Sequence, residues 1–466
     1  MQYINNISCI LVFAFLTFSM TIKGASNAIL FLMFITTLIY AIKFHKNNIQ
    51  TKISHNLRKF LICSFLIFSS PFILTFIQFI LGFPIKVNYF DSVLRFVLSA
   101  ACIFLLPFIN NTNNVNNVNN VNNTENNVIE KGLVGIILAA FGLGIWGYLS
   151  TNIPHFMWID SERAWNGFSN PIPYGLICIM FAMMALIFPF SIIQKYYKNC
   201  KFLKFLKFLQ SEQVFLSIKI LAFLAGLYGA YQSGSRIALL VFPLFIFAAV
   251  YTKTTLNKRQ KFLYLCGFLV LVSTPLLVFN NKFSNRIQDG FNDIEKYKSV
   301  QNINKETLSK NNNYNTSMGL RFVMWSEAMK IIKTDNNWIF GIGRSNFMPT
   351  MIKLHSEGKV VDEIRATPHP HSEYFNSFVE FGIFGLVSLL LIYLFPLLFY
   401  CNKRYLQHKD EAVKFAARSG IILSSGYTIA GIFDCYFWIV SLVNFYILTN
   451  VIFMSLILSK TAKLKE

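Results

Sequence analysis

The sequence predicts an all-α polytopic membrane protein. Hydrophobic residues make up 54% of the 466 residues, 50 of which are phenylalanine, and the mean hydropathy is +0.48. A soluble domain of this length does not need so much apolar surface for its core. We count about twelve apolar runs long enough to cross ~30 Å of hydrocarbon. They lie near 8–22, 26–42, 60–82, 92–109, 132–150, 172–194, 213–231, 237–252, 262–279, 381–400, 419–437 and 439–459.

Lysine and arginine predict the orientation of these runs. Basic clusters follow the second, sixth, eighth, tenth and last runs, around 43–59, 195–207, 253–261, 403–418 and 460–465. Cytoplasmic loops carry an excess of Lys and Arg, so this shared parity places both termini in the cytoplasm. The net charge of +21 then indicates topology and contact with anionic membrane lipids, not a nucleic-acid-binding surface.

The runs divide the chain into three parts. Residues 1–279 are predicted to hold transmembrane helices 1 to 9 with short loops, and residues 280–370 a large outward loop. Residues 371–466 are predicted to hold helices 10 to 12 and a cytoplasmic C-terminus.

The outward loop contains two local patterns. The segment from Arg321 to Lys333 spaces Phe322, Trp325, Met329 and Ile332 at helical intervals, which predicts a helix at the membrane surface or over a cavity. The sequence GIGRSNF at 341–347 predicts a glycine turn and not a phosphate loop, which requires Gly-Lys-Ser/Thr.

Two histidines close this loop. His369 and His371 flank Pro370, and a helical run with Glu380 leads directly into an apolar stretch. A histidine on the wet side of a membrane helix can do proton chemistry on a substrate held at the bilayer surface. The alternative is an interfacial histidine without a chemical role. Pro370 predicts that His371 lies in the first turn of the helix, where the helix dipole disfavours imidazolium.

Three arginines lie near the predicted outward surface of the membrane: Arg163, Arg236 and Arg321. Guanidinium groups bind phosphate oxygens well and stay charged when partly buried. Three of them around one histidine would suit a diphosphate leaving group activated without metal. Each could instead contact lipid headgroups, but Arg236 sits in a tight Ser-Gly-Ser turn whose small residues a snorkelling arginine does not need.

The outward segments predict no metal site, no cofactor and no disulfide. No D-x-D motif occurs in the loop, and the eight cysteines fall in the apolar runs or on the cytoplasmic side. The loop carboxylates are dispersed, at Asp289, Asp293, Glu295, Glu306, Glu327, Asp335, Glu357, Asp362 and Glu363.

Several motifs together resemble the O-antigen ligase family. SGSR at 233–236 precedes an apolar run and a long outward loop, and the loop ends in the pattern H-S-x9-G-x2-G. Its members are His371, Ser372, Gly382 and Gly385. The segment 163–175, RAWNGFSNPIPYG, resembles the earlier outward loop of that family. These bacterial inner-membrane enzymes move a glycan from undecaprenyl diphosphate onto lipid A–core oligosaccharide.

The resemblance implies a GT-C-like helical fold, a periplasmic active site and an inverting transfer without metal. It implies that His371 assists deprotonation of the acceptor and that Arg236 contacts the diphosphate. We expect Arg321 and Arg163 to bind the donor as well. Supporting residues are expected at Ser235, Ser372, Glu380, Gly382, Gly385 and His369, and His369 competes with His371 for the catalytic role.

Other functions remain open on these residues. O-antigen polymerases and protein O-oligosaccharyltransferases share the domain and the donor, so the resemblance fixes the donor class better than the acceptor. A lipid-glycan transporter would also be polytopic and basic. It would be expected to carry ionisable residues at mid-bilayer, whereas the apolar runs of this chain are nearly free of charge.

Overall fold

The computed structural model describes residues 2–46, 54–106, 127–153, 163–197, 211–252, 257–260, 317–358, 360 and 364–461, with a few positions between 262 and 292. Every regular element in these ranges is a helix, and no strand occurs in them. The all-α prediction is therefore confirmed for the described chain.

The helices follow one another along the chain in two groups. Before residue 253 they are α1 (Gln2–Phe18), α2 (Ala25–Lys46), α3 (His55–Ile80), α4 (Tyr89–Ala101), α5 (Val128–Gly132), α6 (Gly135–Asn152), α7 (Pro171–Leu186), α8 (Phe190–Tyr197), α9 (Glu212–Ser233) and α10 (Arg236–Tyr251). After residue 316 they are α11 (Ser317–Lys333), α12 (Asn337–Phe340), α13 (Phe347–Ser356), α14 (Glu373–Tyr400), α15 (Lys403–Leu406), α16 (Glu411–Ala430) and α17 (Val440–Thr461). Two 3₁₀ turns also occur: Cys102–Phe104 follows α4, and Tyr436–Trp438 lies shortly before α17.

Six of the described helices are long and apolar enough to cross a membrane. These candidate spans lie at Ala25–Lys43, His55–Ile80, Ile129–Asn152, Glu212–Ser233, Glu373–Tyr400 and Val440–Thr461. The pair α7 and α8, bent by 69°, gives a seventh if it is one broken span. The chain is therefore a multi-pass membrane protein.

The larger number of spans predicted from hydropathy is only partly matched. The runs near 92–109 and 237–252 form helices of 13 and 16 residues, shorter than a bilayer requires for an untilted helix. The run near 262–279 lies almost wholly outside the described residues. The run near 419–437 is misplaced, because α16 begins at Glu411 and ends at Ala430.

Ion pairs join segments that the sequence places together in the cytoplasm. Lys460 Nζ lies 2.5 Å from a carboxylate oxygen of Glu130 and 2.5 Å from one of Asp410. Lys195 Nζ lies 3.6 Å from the same oxygen of Glu130. Lys195 and Lys460 lie near the C-terminal ends of α8 and α17, so this cluster marks one end of the bundle.

α17 is the central helix of the bundle. In its most apolar stretch 89% of the residues are buried, against 28–56% for the other candidate spans. Tyr446 on α17 donates a hydrogen bond to the Ile392 carbonyl, and Tyr427 on α16 donates one to the Leu442 carbonyl. The turn Tyr436–Trp438 therefore lies next to the most buried of the candidate spans.

α14 is broken at Gly382, whose φ of 63° lies in the left-handed region. A Cβ at this position would collide with the carbonyl oxygen of Ile339 in α12, so only glycine fits. The break frees two helix carbonyls, which accept hydrogen bonds from the glycine turn instead. Ile342 N–H donates to the Val379 carbonyl at 2.8 Å, and Gly343 N–H donates to the Glu380 carbonyl at 3.0 Å.

Candidate active site

His371 lies at the point where the outward loop meets α14. Its Nδ1 atom is 3.0 Å from Oδ1 of Asp434, and its side chain is 34% exposed. Asp434 follows α16 and precedes the 3₁₀ turn before α17. The pair therefore joins the N-terminal end of α14 to the connection between α16 and α17.

The prediction that His371 occupies the first helical turn is wrong. α14 begins at Glu373, and His371 has a φ of 49°, in the left-handed region that few non-glycine residues adopt. Tertiary contacts impose this conformation, because the Glu373 N–H donates to the Gly431 carbonyl at 2.7 Å. Trp325 Nε1–H donates to the Pro370 carbonyl at 2.9 Å. Strained backbone of this kind is often found at functional sites.

Asp434 is buried, with 4% of its surface exposed. Burial alone would raise the pKa of this carboxyl group, but the hydrogen bond and the charge of His371 outweigh it and hold the pKa below its usual range. The Cys435 N–H also donates to Oδ1 at 2.9 Å. Asp434 is therefore an ionised, fixed partner for the Nδ1 atom of His371.

His369 differs from His371 in its surroundings. It is 8% exposed, and its Nδ1 accepts the backbone N–H of His371 at 3.3 Å. Burial lowers the pKa of His369 to about 4, and the nearby charges of His371 and Arg321 act in the same direction. A group with so low a pKa is a weak base, so His369 is poorly suited to act as the base.

Arg321 reaches the same cluster from α11. Burial lowers the pKa of its guanidinium, the Asp434 carboxylate opposes that effect, and the charge of Arg236 lowers the pKa further. The Arg321 guanidinium therefore interacts electrostatically with both Asp434 and Arg236.

Arg236 begins α10 directly after a tight turn. Gly234 adopts a φ of 57°, and the Ser235 hydroxyl caps the helix by accepting the Ala238 N–H at 3.4 Å. The same hydroxyl donates to the Ile172 carbonyl of α7 at 3.1 Å. The small residues of SGSR therefore fix the start of α10, as the sequence predicted for a turn.

Arg163 takes a different place from the other two arginines. Its Nε–H donates to the Ser233 carbonyl at 2.7 Å, and a terminal nitrogen donates to the Gly234 carbonyl at 3.4 Å. These carbonyls belong to the end of α9 and to the turn that carries Arg236. Arg163 thus stabilises that turn, and its expected contact with a donor remains a prediction.

Three of the expected supporting residues, Ser372, Gly382 and Gly385, have clear structural contacts. Ser372 is the N-cap position of α14, and its hydroxyl donates to the Gly431 carbonyl at 3.4 Å. Gly385 lets the broken helix close, since a Cβ there would collide with the Ser377 carbonyl oxygen. Gly382 provides the break itself.

Glu380 forms a buried ion pair that the sequence did not predict. Its Oε2 accepts from Arg344 at 2.7 Å, and its Oε1 accepts the Ser345 N–H at 2.8 Å. Gln78 Nε2 donates to the Glu380 carbonyl at 2.7 Å. The pair joins the GIGRSNF turn to α14, and Arg344 also lies over the Trp438 ring, 5.7 Å from its centroid.

Among the described residues, one group of side chains could hold a metal ion. Its members are His369, His371 and Asp434, whose ligand atoms lie within 4.8 Å of one another. The sequence did not predict this group, because Asp434 falls in a run assigned to the membrane. The signal that could have found it is an acidic residue in an otherwise apolar stretch.

Sequence comparison places most of this site in a known domain. The Wzy_C family, described as O-antigen ligase, matches residues 221–390. This segment of the chain is similar to the O-antigen ligase domain. The matched segment contains Arg236, Arg321, His369, His371 and Glu380, whereas Arg163 and Asp434 lie outside it.

Two relatives support a distant relationship. The O-antigen ligase of Escherichia coli (strain K12) is 22% identical over 215 residues, which cover 46% of this chain and 45% of that protein. An uncharacterized protein of Haemophilus influenzae (strain ATCC 51907 / DSM 11121 / KW20 / Rd) is 34% identical over 100 residues, or 22% of this chain and 24% of that protein. The chain thus spans less than half the length of either relative. The recognition of an O-antigen ligase domain in the sequence is confirmed.

Proposed function

We propose that this protein is a glycosyltransferase of the O-antigen ligase type. It moves a glycan from undecaprenyl diphosphate to the lipid A–core oligosaccharide at the periplasmic face of the bacterial inner membrane. The observation that carries the proposal is the pairing of His371 with Asp434, a carboxylate that also interacts electrostatically with Arg321. The domain match supports a lipid-linked glycan as substrate.

His371 is the general base in this proposal. With Nδ1–H donating to the Asp434 carboxylate, Nε2 is left as the acceptor for a proton from the sugar hydroxyl of the acceptor. The negative charge of Asp434 then stabilises the imidazolium that forms, as the third member of a catalytic triad does. The exposed third of the His371 side chain gives the acceptor access from outside the bundle.

Arg236 and Arg321 bind the diphosphate of the donor. When the acceptor oxygen bonds to the anomeric carbon, the bond between that carbon and the phosphate oxygen breaks, and undecaprenyl diphosphate leaves with the electron pair. The proton of the acceptor goes to His371. Two guanidinium groups offset the charge that develops on the diphosphate, and their planar donors match its oxygens.

We propose that this transfer requires no metal, as the sequence predicted. In enzymes that hold a metal on a diphosphate, carboxylates usually supply the ligands. Two acids near the site are engaged otherwise, since Glu380 pairs with Arg344 and Glu373 Oε2 accepts the Phe437 N–H at 2.9 Å. The arginines supply the positive charge.

The proposed orientation has both termini in the cytoplasm and the site in the periplasm. It is supported by the ion-pair cluster of Glu130, Lys195, Asp410 and Lys460, four residues from connections predicted to be cytoplasmic. Asp434 precedes α17, whereas Lys460 lies near its C-terminal end. The two groups therefore lie at opposite ends of one helix.

The lipopolysaccharide or lipooligosaccharide of a deletion strain tests the acceptor. If the protein is a ligase, the deletion strain should lose all added glycan and accumulate the lipid-linked donor. Retention of one repeat unit on the core would instead assign a polymerase, and normal lipopolysaccharide with missing protein glycans would assign a protein O-oligosaccharyltransferase. Transfer by the protein purified in detergent, where no second compartment exists, would exclude a transporter.

A further inference from the structure

His369, His371 and Asp434 form a compact set of metal ligands at the mouth of the proposed site. Each offers one ligand atom, and these three atoms lie within 4.8 Å of one another. Two imidazole nitrogens and one carboxylate oxygen are a donor set that suits Zn²⁺. A shift of about an ångström by the most separated atoms would bring all three to the bond lengths of ~2.0–2.2 Å that zinc requires.

The environment of the three side chains also suits a bound ion. The His369 ring packs edge-on against Trp438, with the ring centroids 5.3 Å apart, and Asp434 is fixed by the Cys435 N–H. Neighbours that orient the ligands in this way are usual around zinc. The partly exposed His371 leaves one side open to solvent, so water can complete a tetrahedral set.

We propose that Zn²⁺ binds to His369, His371 and Asp434 and inhibits the enzyme. The inference rests on the proposed role of His371 as the base. On binding, the ion takes the place of the proton on Nδ1 of His371, and the neutral imidazole then carries its proton on Nε2. Nε2 is now a hydrogen-bond donor without a free electron pair, so His371 no longer accepts the proton of the sugar hydroxyl.

Nearby charges should influence the affinity of this site for Zn²⁺. The Arg321 guanidinium interacts with Asp434, and its positive charge opposes a second cation nearby. Zinc should therefore bind more weakly at this site than in a closed structural site, and the inhibition should be reversible. The donor diphosphate, drawn to the same arginines, should not be needed for the ion to bind.

Binding is measured first, on the full-length protein purified in detergent without donor or acceptor. Co²⁺ should give the visible absorption of a tetrahedral site, and ZnCl₂ should displace it. His369→Ala and Asp434→Ala should each weaken Zn²⁺ binding by on the order of tenfold or more, because each removes one of three ligands. His355→Ala, a histidine of α13 outside the group, is the matched control and should bind as the wild type does.

Activity is measured second, on each protein relative to its own rate without metal. ZnCl₂ should inhibit wild-type transfer, EDTA should restore it, and His369→Gln should be at least about tenfold less sensitive to zinc. Glutamine keeps an acceptor for the His371 N–H, so this variant serves if the alanine variant does not accumulate. Absence of the Co²⁺ signal, or equal zinc affinity in wild type and His369→Gln, would overturn the inference. Full activity of His371→Ala would instead overturn the proposed base, while the binding measurement would still stand.

Discussion

His371 Nδ1 lies 3.0 Å from Asp434 Oδ1, although 63 residues separate the two in sequence. The contact connects the end of the outward loop with the turn before the central helix α17. It gives a partly exposed histidine a buried, ionised partner, which can orient the imidazole ring and stabilise the imidazolium formed in general-base catalysis.

Asp434→Asn should lower the transfer rate by ~10²–10⁴-fold, because an amide lacks the charge that stabilises the imidazolium and no longer enforces the tautomer. The KM for the donor should change little, since Asp434 does not bind the diphosphate in the proposed mechanism. Initial rates at several donor concentrations, with membrane abundance measured in parallel, separate the two effects. A variant whose KM rises while its kcat is unchanged would mean that Asp434 acts in binding.

Arg236→Lys and Arg321→Lys should fail nearly as badly as the corresponding alanine variants. An ammonium group cannot reproduce the planar pair of donors that a diphosphate accepts. Transfer assays with equal amounts of each variant, made at constant donor concentration, provide the comparison. If the lysine variants keep full activity, both arginines act as ordinary interfacial charges and not as diphosphate ligands.

Arg163 provides the contrasting case within the same experiment. Its donors reach the carbonyls of Ser233 and Gly234, so its substitution should act through the turn that carries Arg236. We expect Arg163→Ala to lower the thermal unfolding midpoint as well as activity, whereas Arg236→Ala should lower activity alone. If wild type and Arg163→Ala have equal unfolding midpoints, the loss of activity would indicate that Arg163 contacts the donor.

Glu380→Gln should destabilise the fold through its buried partner. The carboxylate accepts from Arg344, and both side chains are almost fully buried. Removal of one member of such a pair leaves a buried charge uncompensated and costs on the order of 3–5 kcal/mol. Thermal unfolding in detergent should report a clear drop in the midpoint.

The double variant Arg344→Met with Glu380→Gln is the control for this pair. It removes both charges, so it should be more stable than Glu380→Gln alone. If the double variant is as unstable as the sum of the two single variants, the pair contributes through shape and not through charge.

Metal removal should leave transfer intact. Since arginines supply the positive charge, activity in reconstituted membranes should survive excess EDTA, and Mg²⁺ or Mn²⁺ should not raise it much. Complete loss with EDTA, restored by one specific cation, would contradict this. The ligands would then be sought first at His369, His371 and Asp434, where three donor atoms already lie within 4.8 Å.

Local features of the fold could be predicted from the sequence because they depend on neighbouring residues. The helix from Ser317 to Lys333 follows from apolar periodicity, and the turns at Gly234 and Gly341 follow from glycine. Even there the packing differs in detail. α11 buries Met324, Ala328 and Ile331, while Trp325 turns to Pro370.

Long-range features could not be predicted. Nothing near His371 indicates that its partner is Asp434, since the segment around Asp434 is apolar enough to be assigned to the membrane. The break at Gly382 also depends on a long-range contact, the close approach of Ile339 from α12. Such contacts leave no periodic signal in one sequence.

The transfer rate of His371→Ala tests the proposed role of this histidine most directly. The full-length protein is reconstituted in liposomes with an undecaprenyl diphosphate-linked glycan and a lipid A–core acceptor, and transferred glycan is measured over time. We predict transfer by the wild type and a loss of ~10²–10⁴-fold in His371→Ala at equal abundance, because the base is gone. The loss in His369→Ala should be smaller. Transfer by His371→Ala within a few-fold of the wild-type rate would show that His371 is not the base.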